Sequence, residues 1–447
     1  MVPVLFQIQK KMDRSIDGYM PKKKKKKAPP CIIVDLGSCT LKVGIASNTK
    51  TSASWSPDNT ISCCTLPTEN RATMKGETAR QQWDRRAELI RPIQRGKITD
   101  MEQLKLLLTH AFNDKLDVTT KGSHILFADA PGHGASSRSD REELMTWTFE
   151  KLQMQSCMFI PQPILSAFAA GKTTAIVVDA GFESSSVTKI IDGSLSQSDV
   201  HRINYPSFES TMLEMMVNSE KVSATGEAQD IPSVDEIGTS FRLIAEGTCY
   251  CCLHDIEREK SKSKSGRTKK KYQLPDGTWI GVSEERFLLP ETMCGGEYGN
   301  RWRTIGTGGL GGSVANQLKS CNDRNTYFDL ANNIICCGGR SEIEHFDQRL
   351  DLEISKGLGL KPRPKKSLED DLVEEEDEED GIGEKKIDMR PKLPITKTKS
   401  KKKPRKFATY AGGAMVASID SMRSLWITKP EFEEFGADVC IDRRRLS

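Results

Sequence analysis

Apolar positions recur along this chain in two rhythms. The segments CIIVDL (31–36) and AIVVDA (175–180) are near-continuous apolar runs, each followed by Gly, a polar turn and a second apolar stretch, TLKVGIA or SVTKII. Runs of this length, rich in β-branched residues, read as buried strands. Each copy therefore predicts a β-hairpin, and because Asp35 and Asp179 hold the same place in both, each hairpin is expected to open its own domain. Two further runs, NNIICCGGRSEI (332–343) and FATYAGGAMVAS (407–418), predict strands leading into Gly338-Gly339 and Gly412-Gly413 and then into helices. A glycine pair there lets backbone approach a ligand or another helix closely.

Helical periodicity marks TDMEQLKLLLTHAF and SDREELMTWTFEKL, with Thr99–Glu102 and Ser139–Glu142 as predicted capping boxes. In the second helix Leu144, Met145, Thr148, Phe149 and Leu152 share one face. KKKYQLPDGTWIGV predicts a hairpin around Pro275-Asp276-Gly277. Thr428, Pro430 and Glu431 predict the start of a short helix that Gly436 stops.

The chain has 447 residues, enough for two domains with their own cores. The opening MVPVLF is too short an apolar run for a signal peptide or a membrane span, so a soluble, non-secreted protein is expected. A net charge of +4 conceals blocks of opposite sign. PKKKKKKAPP (21–30) can bury nothing and repels itself, which predicts a disordered basic tail over 1–30. Two further basic clusters, KSKSKSGRTKKK (260–271) and KTKSKKKPRK (397–406), favour nuclear import or nucleic-acid contact over a merely solvated charge run. LEDDLVEEEDEED (368–380) lies between basic flanks, and folded signals resume after it, so 357–404 reads as a disordered acidic and basic insertion within one domain. Thirteen cysteines without C-x-x-C pairs read as reduced thiols, and Cys249, Cys251, Cys252 and His254 lack the second half of a zinc site.

Two hairpins and the Gly-Gly elements predict an α/β protein of twin domains facing across a cleft. Facing hairpin turns with free N–H groups could grip a triphosphate and its cation from both sides, although the first stretch taken alone reads more readily as a plain hairpin. AAGKTT (169–174) is no Walker loop, since Ser166 stands where its first glycine belongs. GTGGLG (306–311) lacks a leading strand, and PGHGASS lacks the strained hydrolase turn, leaving His133 a loop residue.

IIVDLGSCTLKVGIA, RPIQRGKITDMEQLKLLLTHAF, ILFADAP, PQPILSAFAAGKTTAIVVDAG, KKYQLPDG, EERFLLPE, IICCGG, KFATYAGGAMVAS and SLWITKPEFEEFG follow one another in an order that resembles the actin family over most of residues 31–447. The resemblance implies the actin-like two-lobed fold, with duplicated ribonuclease-H-like domains around a nucleotide cleft. Residues 31–170 and 407–447 would form the small domain and 171–406 the large one. ATP or ADP with Mg²⁺ would sit between them. By motif, Asp35, Gly37, Ser38 and Lys42 would line the first phosphate loop and Asp179 and Gly181 the second, with Asp35 and Asp179 reaching Mg²⁺ through water. Gln162 would position the attacking water, Arg242 and Glu246 would contact the nucleoside, Gly338 and Gly339 would flank the sugar, and Lys406 would meet adenine.

Departures from the family pattern redirect the function. Phe182-Glu183 stands where the second loop continues Asp-Gly, and Ser186 replaces its histidine. A carboxylate within about 4 Å of a phosphate would cost about 4 kcal/mol at an effective dielectric near 20, unless Glu183 turns to solvent. Cys39 and His345 replace family glycines, and Ala245 stands where a lysine is expected. Little room exists between Leu66 and Gly76 for the loop that joins subunits of a filament. Nucleotide binding is expected, efficient hydrolysis and filament growth are not. These features favour a divergent nuclear actin-related protein, a scaffold subunit of a chromatin-remodelling or histone-acetyltransferase complex. Its implied partners are actin, other actin-related proteins and a long helix of the motor or scaffold subunit, with histones as a further partner and no membrane. The competing readings are a cytoplasmic cytoskeletal actin-like ATPase and, more remotely, a sugar kinase or chaperone ATPase of similar architecture.

Overall fold

The computed structural model describes residues 29–46, 56–67, 73–76, 90–132, 137–205, 207–218, 241–253, 255–264, 266, 269–273, 277, 279–294, 308–360 and 404–443. The basic tail, His133, His254 and residues 361–403 of the insertion lie outside them.

Strands β1 (Cys31–Leu36) and β2 (Thr40–Ile45) form the first hairpin, continued by β3 (Asn59–Ser62). A short antiparallel pair, β4 (Thr65–Pro67) with β5 (Thr73–Lys75), stands where a filament loop would have to fit. A tight pair, β6 (Ile93–Gln94) and β7 (Lys97–Ile98), turns through Arg95 and Gly96, both at positive φ. After it come β8 (His124–Asp129) and β9 (Ser156–Pro161). The second hairpin is β10 (Ala175–Ala180) and β11 (Ser184–Ile190), extended by β12 (Val200–Asn204). A separate antiparallel pair follows, β13 (Lys270–Gln273) and β14 (Trp279–Val282), the two strands of the predicted hairpin, whose turn residues Pro275 and Asp276 lie outside the described residues. β15 (Ile334–Cys337) and β16 (Ile427–Thr428) complete the set.

One sheet runs β16-β9-β8-β1-β2-β3 and the other β12-β11-β10-β15. The echo read in the sequence is reproduced in pairing. β1 is antiparallel to β2 and parallel to β8, while β10 is antiparallel to β11 and parallel to β15. Ile32, Ile33, Val34, Ile176, Val177 and Val178 are all fully buried, because each parallel strand is covered on both faces.

Four predicted local details differ. FATYAGGAMVAS is not a strand. Ala408–Ala417 is a helix packed on the helix Gln162–Ala169, and Gly412 lets the two backbones meet, since a Cβ there would overlap the Leu165 carbonyl. The cap of Met101–His110 is Asp100, which accepts from Gln103 N, while the Thr99 hydroxyl donates to the Arg91 and Pro92 carbonyls. Ser137 and Asp140, not Ser139 and Glu142, form the capping box of Arg138–Glu150, two residues earlier than expected. Leu144, Met145, Thr148 and Phe149 are buried, so the predicted face stands. Thr428 and Glu431 bond each other reciprocally at the start of the last helix, and Gly436 (φ 77°) breaks it, but helix resumes beyond to Arg443. All thirteen cysteines are free thiols. Among the described residues no helix is long and apolar enough to cross a membrane.

Candidate functional site, a phosphate cleft between twin hairpins

The β1–β2 and β10–β11 turns open onto one cavity of about 510 Å³. Asp35, Gly37, Ser38, Lys42, Gln162, Asp179, Gly181, Glu246, Gly338, Gly339 and Lys406 all line it. Of the residues carried over from the resemblance, Arg242 alone is not placed. Its backbone lies in the helix Phe241–Thr248, and its side chain is outside the described set.

Each turn is built by a small residue under steric compulsion. A Cβ on Gly37 would lie 2.6 Å from Thr40 O, and one on Gly181 would lie 2.5 Å from Ser184 O, so the two loops fold back on themselves in the same way. Gly338 (φ 84°) crosses directly behind the second loop, where a Cβ would overlap the Asp179 carboxylate and the Ala180 carbonyl. Gly339 has open space where its Cβ would be, on the cavity wall. His345, in the place of a family glycine, keeps the left-handed backbone (φ 65°) that glycine would favour.

The electrostatics of the two aspartates differ. Asp35, 2% exposed, receives Lys42 Nζ at 2.7 Å and Gln162 Nε2 at 2.8 Å. Burial opposes the Lys42 charge, yet the Asp35 carboxylate outweighs it and holds the ammonium above its ordinary value. Opposite Asp179 in the cross-strand register stands Ser186, where the first hairpin has Lys42 opposite Asp35. Burial, aided by the Asp35 charge, raises the Asp179 carboxyl to about 6. A buried and a half-buried acid facing one cavity with a single bonded lysine form a donor set that suits a hydrated divalent cation, whose charge would return Asp179 to its ionised form.

That shift has a consequence for stability. An acid raised from an unfolded value near 3.8 to about 6 binds more protons folded than unfolded between those limits, so stability falls as pH rises through that window, by roughly 3 kcal/mol in all. Urea midpoints measured without divalent cation should decline between about pH 4 and 6.5 and flatten in Asp179→Asn. An identical slope in the variant would remove Asp179 as the cause.

Phe182 lines the cavity, whereas Glu183 turns away from it to the β6–β7 turn. Glu183 Oε2 accepts the Arg95 backbone N–H at 2.9 Å, across the junction between the lobes. Phe182 lies between the Arg91 and Arg340 guanidiniums, 5.1 and 5.6 Å from its ring centre. Arg91 is also paired with Glu209 at 2.8 Å, and Arg202 donates to the Pro131 carbonyl at 3.0 Å and to the Arg95 carbonyl. Ser38, expected at phosphate, has its Oγ accepting from Gly96 N at 3.1 Å. The departures from the family loop thus form a latch between β6–β7 and the second hairpin. Arg91→Ala with Glu183→Ala should lower the melting temperature by several degrees and speed proteolysis at the 91–96 turn. Unchanged digestion would show that the latch carries no closure.

Arg340 and Arg202 escaped the sequence reading. Arg340 is 7% exposed, its Cζ lies 3.3 Å from the Phe208 ring centre, and neither terminal nitrogen has a hydrogen-bond partner. The Tyr205 ring centre lies 4.7 Å from the Arg340 Cζ, and the Tyr205 hydroxyl is bonded to Ser185 and the Gly181 carbonyl. The position directly after Gly338-Gly339 was its only available signal. Arg202, in mid-strand, carried none. At the far end of the cavity, Lys406 has its backbone N–H on Glu342, and Glu246 is exposed on the wall.

A family model described as Actin matches residues 27–445. The chain belongs to the actin family. Its curated relatives include actin-like protein 9 of Rattus norvegicus, 23% identical over 92% of this chain and 88% of the relative. Actin-like protein 9 of Mus musculus is 24% identical over 91% of this chain and 86% of the relative. In this family nucleotide with a divalent metal generally occupies the cleft, and members generally associate with actin or other actin-related proteins. The donor set around Asp35 and Asp179 fits that group. Lys42 and the two turn backbones would hold the phosphates, and Gly339 leaves room beside them.

Proposed function

We propose that this chain is a nucleotide-binding scaffold subunit of a nuclear chromatin-remodelling or histone-acetyltransferase complex, holding ATP or ADP with Mg²⁺ and hydrolysing it weakly or not at all. The observation that carries the reading is the second hairpin. It keeps Asp179 and Gly181 on the cavity with Phe182 and Ser186 beside them, while Glu183 is bonded across the lobe junction and a serine, not a histidine, stands opposite Asp179. Such a cleft can bind and stay closed, but it lacks the histidine and loop geometry with which the family organises an attacking water around Gln162. Gln162 itself is held on Asp35 and the Leu36 carbonyl.

The basic runs Lys22–Lys27, 260–271 and 397–406 support nuclear residence, with a cytoplasmic share left open. The short β4–β5 pair supports a subunit that does not grow filaments, with actin, another actin-related protein, a long helix of a remodeller or acetyltransferase subunit, and histones as its partners. Affinity purification of the tagged full chain, read by mass spectrometry, tests this. Remodeller or acetyltransferase subunits are the expected companions, whereas tubulin or dynein-associated subunits would replace the reading by a cytoskeletal one. Sedimentation with Mg-ATP separates the same two, since the scaffold stays in the supernatant. Alanines at Lys22–Lys27 should abolish nuclear accumulation.

A further inference from the structure

The β13–β14 hairpin projects two chemically different faces. Its register pairs Lys270 with Val282, Lys271 with Gly281, Tyr272 with Ile280 and Gln273 with Trp279. Ile280 and Val282 are buried, Tyr272 packs against the large-lobe core, and the Lys270 ammonium turns back to the Gly247 carbonyl. Side chains alternate along a strand, so Lys271, Gln273, Trp279 and Gly281 share the other face. Trp279 is 58% exposed, more than any other large apolar side chain among the described residues. Lys269 and Lys271 are both exposed and about 7 Å apart along the strand. The Lys269 stem lies over Gly281, its Cε 3.1 Å from where a Cβ would be, so the absent side chain lets the lysine lie flat across this face beside Trp279. Neither strand carries an acidic residue, and the segment 260–271 leading into β13 has seven Lys or Arg and no Asp or Glu.

We propose that this outer face binds single-stranded nucleic acid, with the backbone running along Lys269 and Lys271 and a base stacked on Trp279. The two lysines call for a polyanion. An acidic peptide would satisfy them but leave a half-exposed indole unused, and a bilayer would need more than one apolar side chain to enter it. An unstacked base uses both features, since every base offers an aromatic face to an exposed ring beside a cationic track. Nothing in this face overlaps the nucleotide cleft, so the inference stands or falls apart from that reading.

Fluorescence anisotropy of the full chain with 5′-fluorescein-labelled dT20 tests it, with a duplex of the same length and polyglutamate as competitors. Trp279→Ala should weaken dT20 binding about tenfold while duplex affinity moves less than twofold and the melting temperature is unchanged. Lys269→Glu with Lys271→Glu should make the slope of log affinity against log salt shallower by about 1.4, two single-strand phosphate contacts. Wild-type chain that ignores dT20, a Trp279→Ala chain that binds it normally, equal losses on dT20 and duplex, or displacement by polyglutamate as effective as by unlabelled dT20 would each overturn the assignment.

Discussion

Lys42→Met should destabilise the protein by about 3–5 kcal/mol and remove nucleotide binding together. The Lys42 ammonium is the only basic group bonded to Asp35 among the described residues, at 2.7 Å, and both side chains are largely buried, at 16% and 3% exposure. Truncating one partner of a buried pair leaves the other charge uncompensated, which is why the loss exceeds anything a surface ion pair would give. Gln162 can still donate to Asp35 but carries no charge. Asp35, freed of its counter-charge, would also press harder on Asp179, whose carboxyl already titrates near 6. Chemical denaturation measures the first effect and calorimetric titration with Mg-ADP the second. The double variant Asp35→Asn/Lys42→Met should recover much of the stability, since it removes both charges, but none of the binding. That split separates a structural role from a binding one.

Gly412→Ala should cost about 3 kcal/mol or more, although alanine is the better helix former by about 1 kcal/mol. Gly412 and the adjoining Gly413 sit where the helix Ala408–Ala417 crosses Gln162–Ala169, with the Leu165 carbonyl and the Ile33 side chain occupying the space of their Cβ atoms. A methyl at position 412 must push the helices apart. Gln162 begins the displaced helix, so its bonds to Asp35 and the Leu36 carbonyl should loosen with it. A thermal melt and the Mg-ADP affinity should therefore fall together, whereas Gly339→Ala, which meets nothing within 4 Å in the protein, should leave the melt unchanged and lower affinity alone. A stable Gly412→Ala protein would contradict the crossing as drawn.

The twin hairpins were legible because buried parallel strands need unbroken apolar runs, and because Asp-x-Gly turns that reach a shared cavity leave the same signature twice. Asp35, Lys42 and Asp179 stood at fixed places in that signature. The segment 407–418 was misread for a physical reason. A short, wholly apolar run has no polar face to reveal its period, so strand and buried helix look alike until its neighbours are known. Cap positions shifted by one or two residues because Thr99, Asp100, Ser137 and Ser139 are all competent caps, and side-chain contacts chose among them. The latch could not be read at all. Glu183 finds a backbone N–H 88 residues earlier in the chain, and nothing local announces that partner.

The most direct test of the account is titration of the purified full-length protein with Mg-ADP, in parallel with Asp179→Asn. Binding at micromolar or tighter affinity that requires Mg²⁺ in the wild type, and that loses its Mg²⁺ dependence in the variant, is the predicted result. Absence of binding at millimolar Mg-ADP, or an affinity indifferent to both the cation and Asp179, would mean that the two hairpins enclose no nucleotide site.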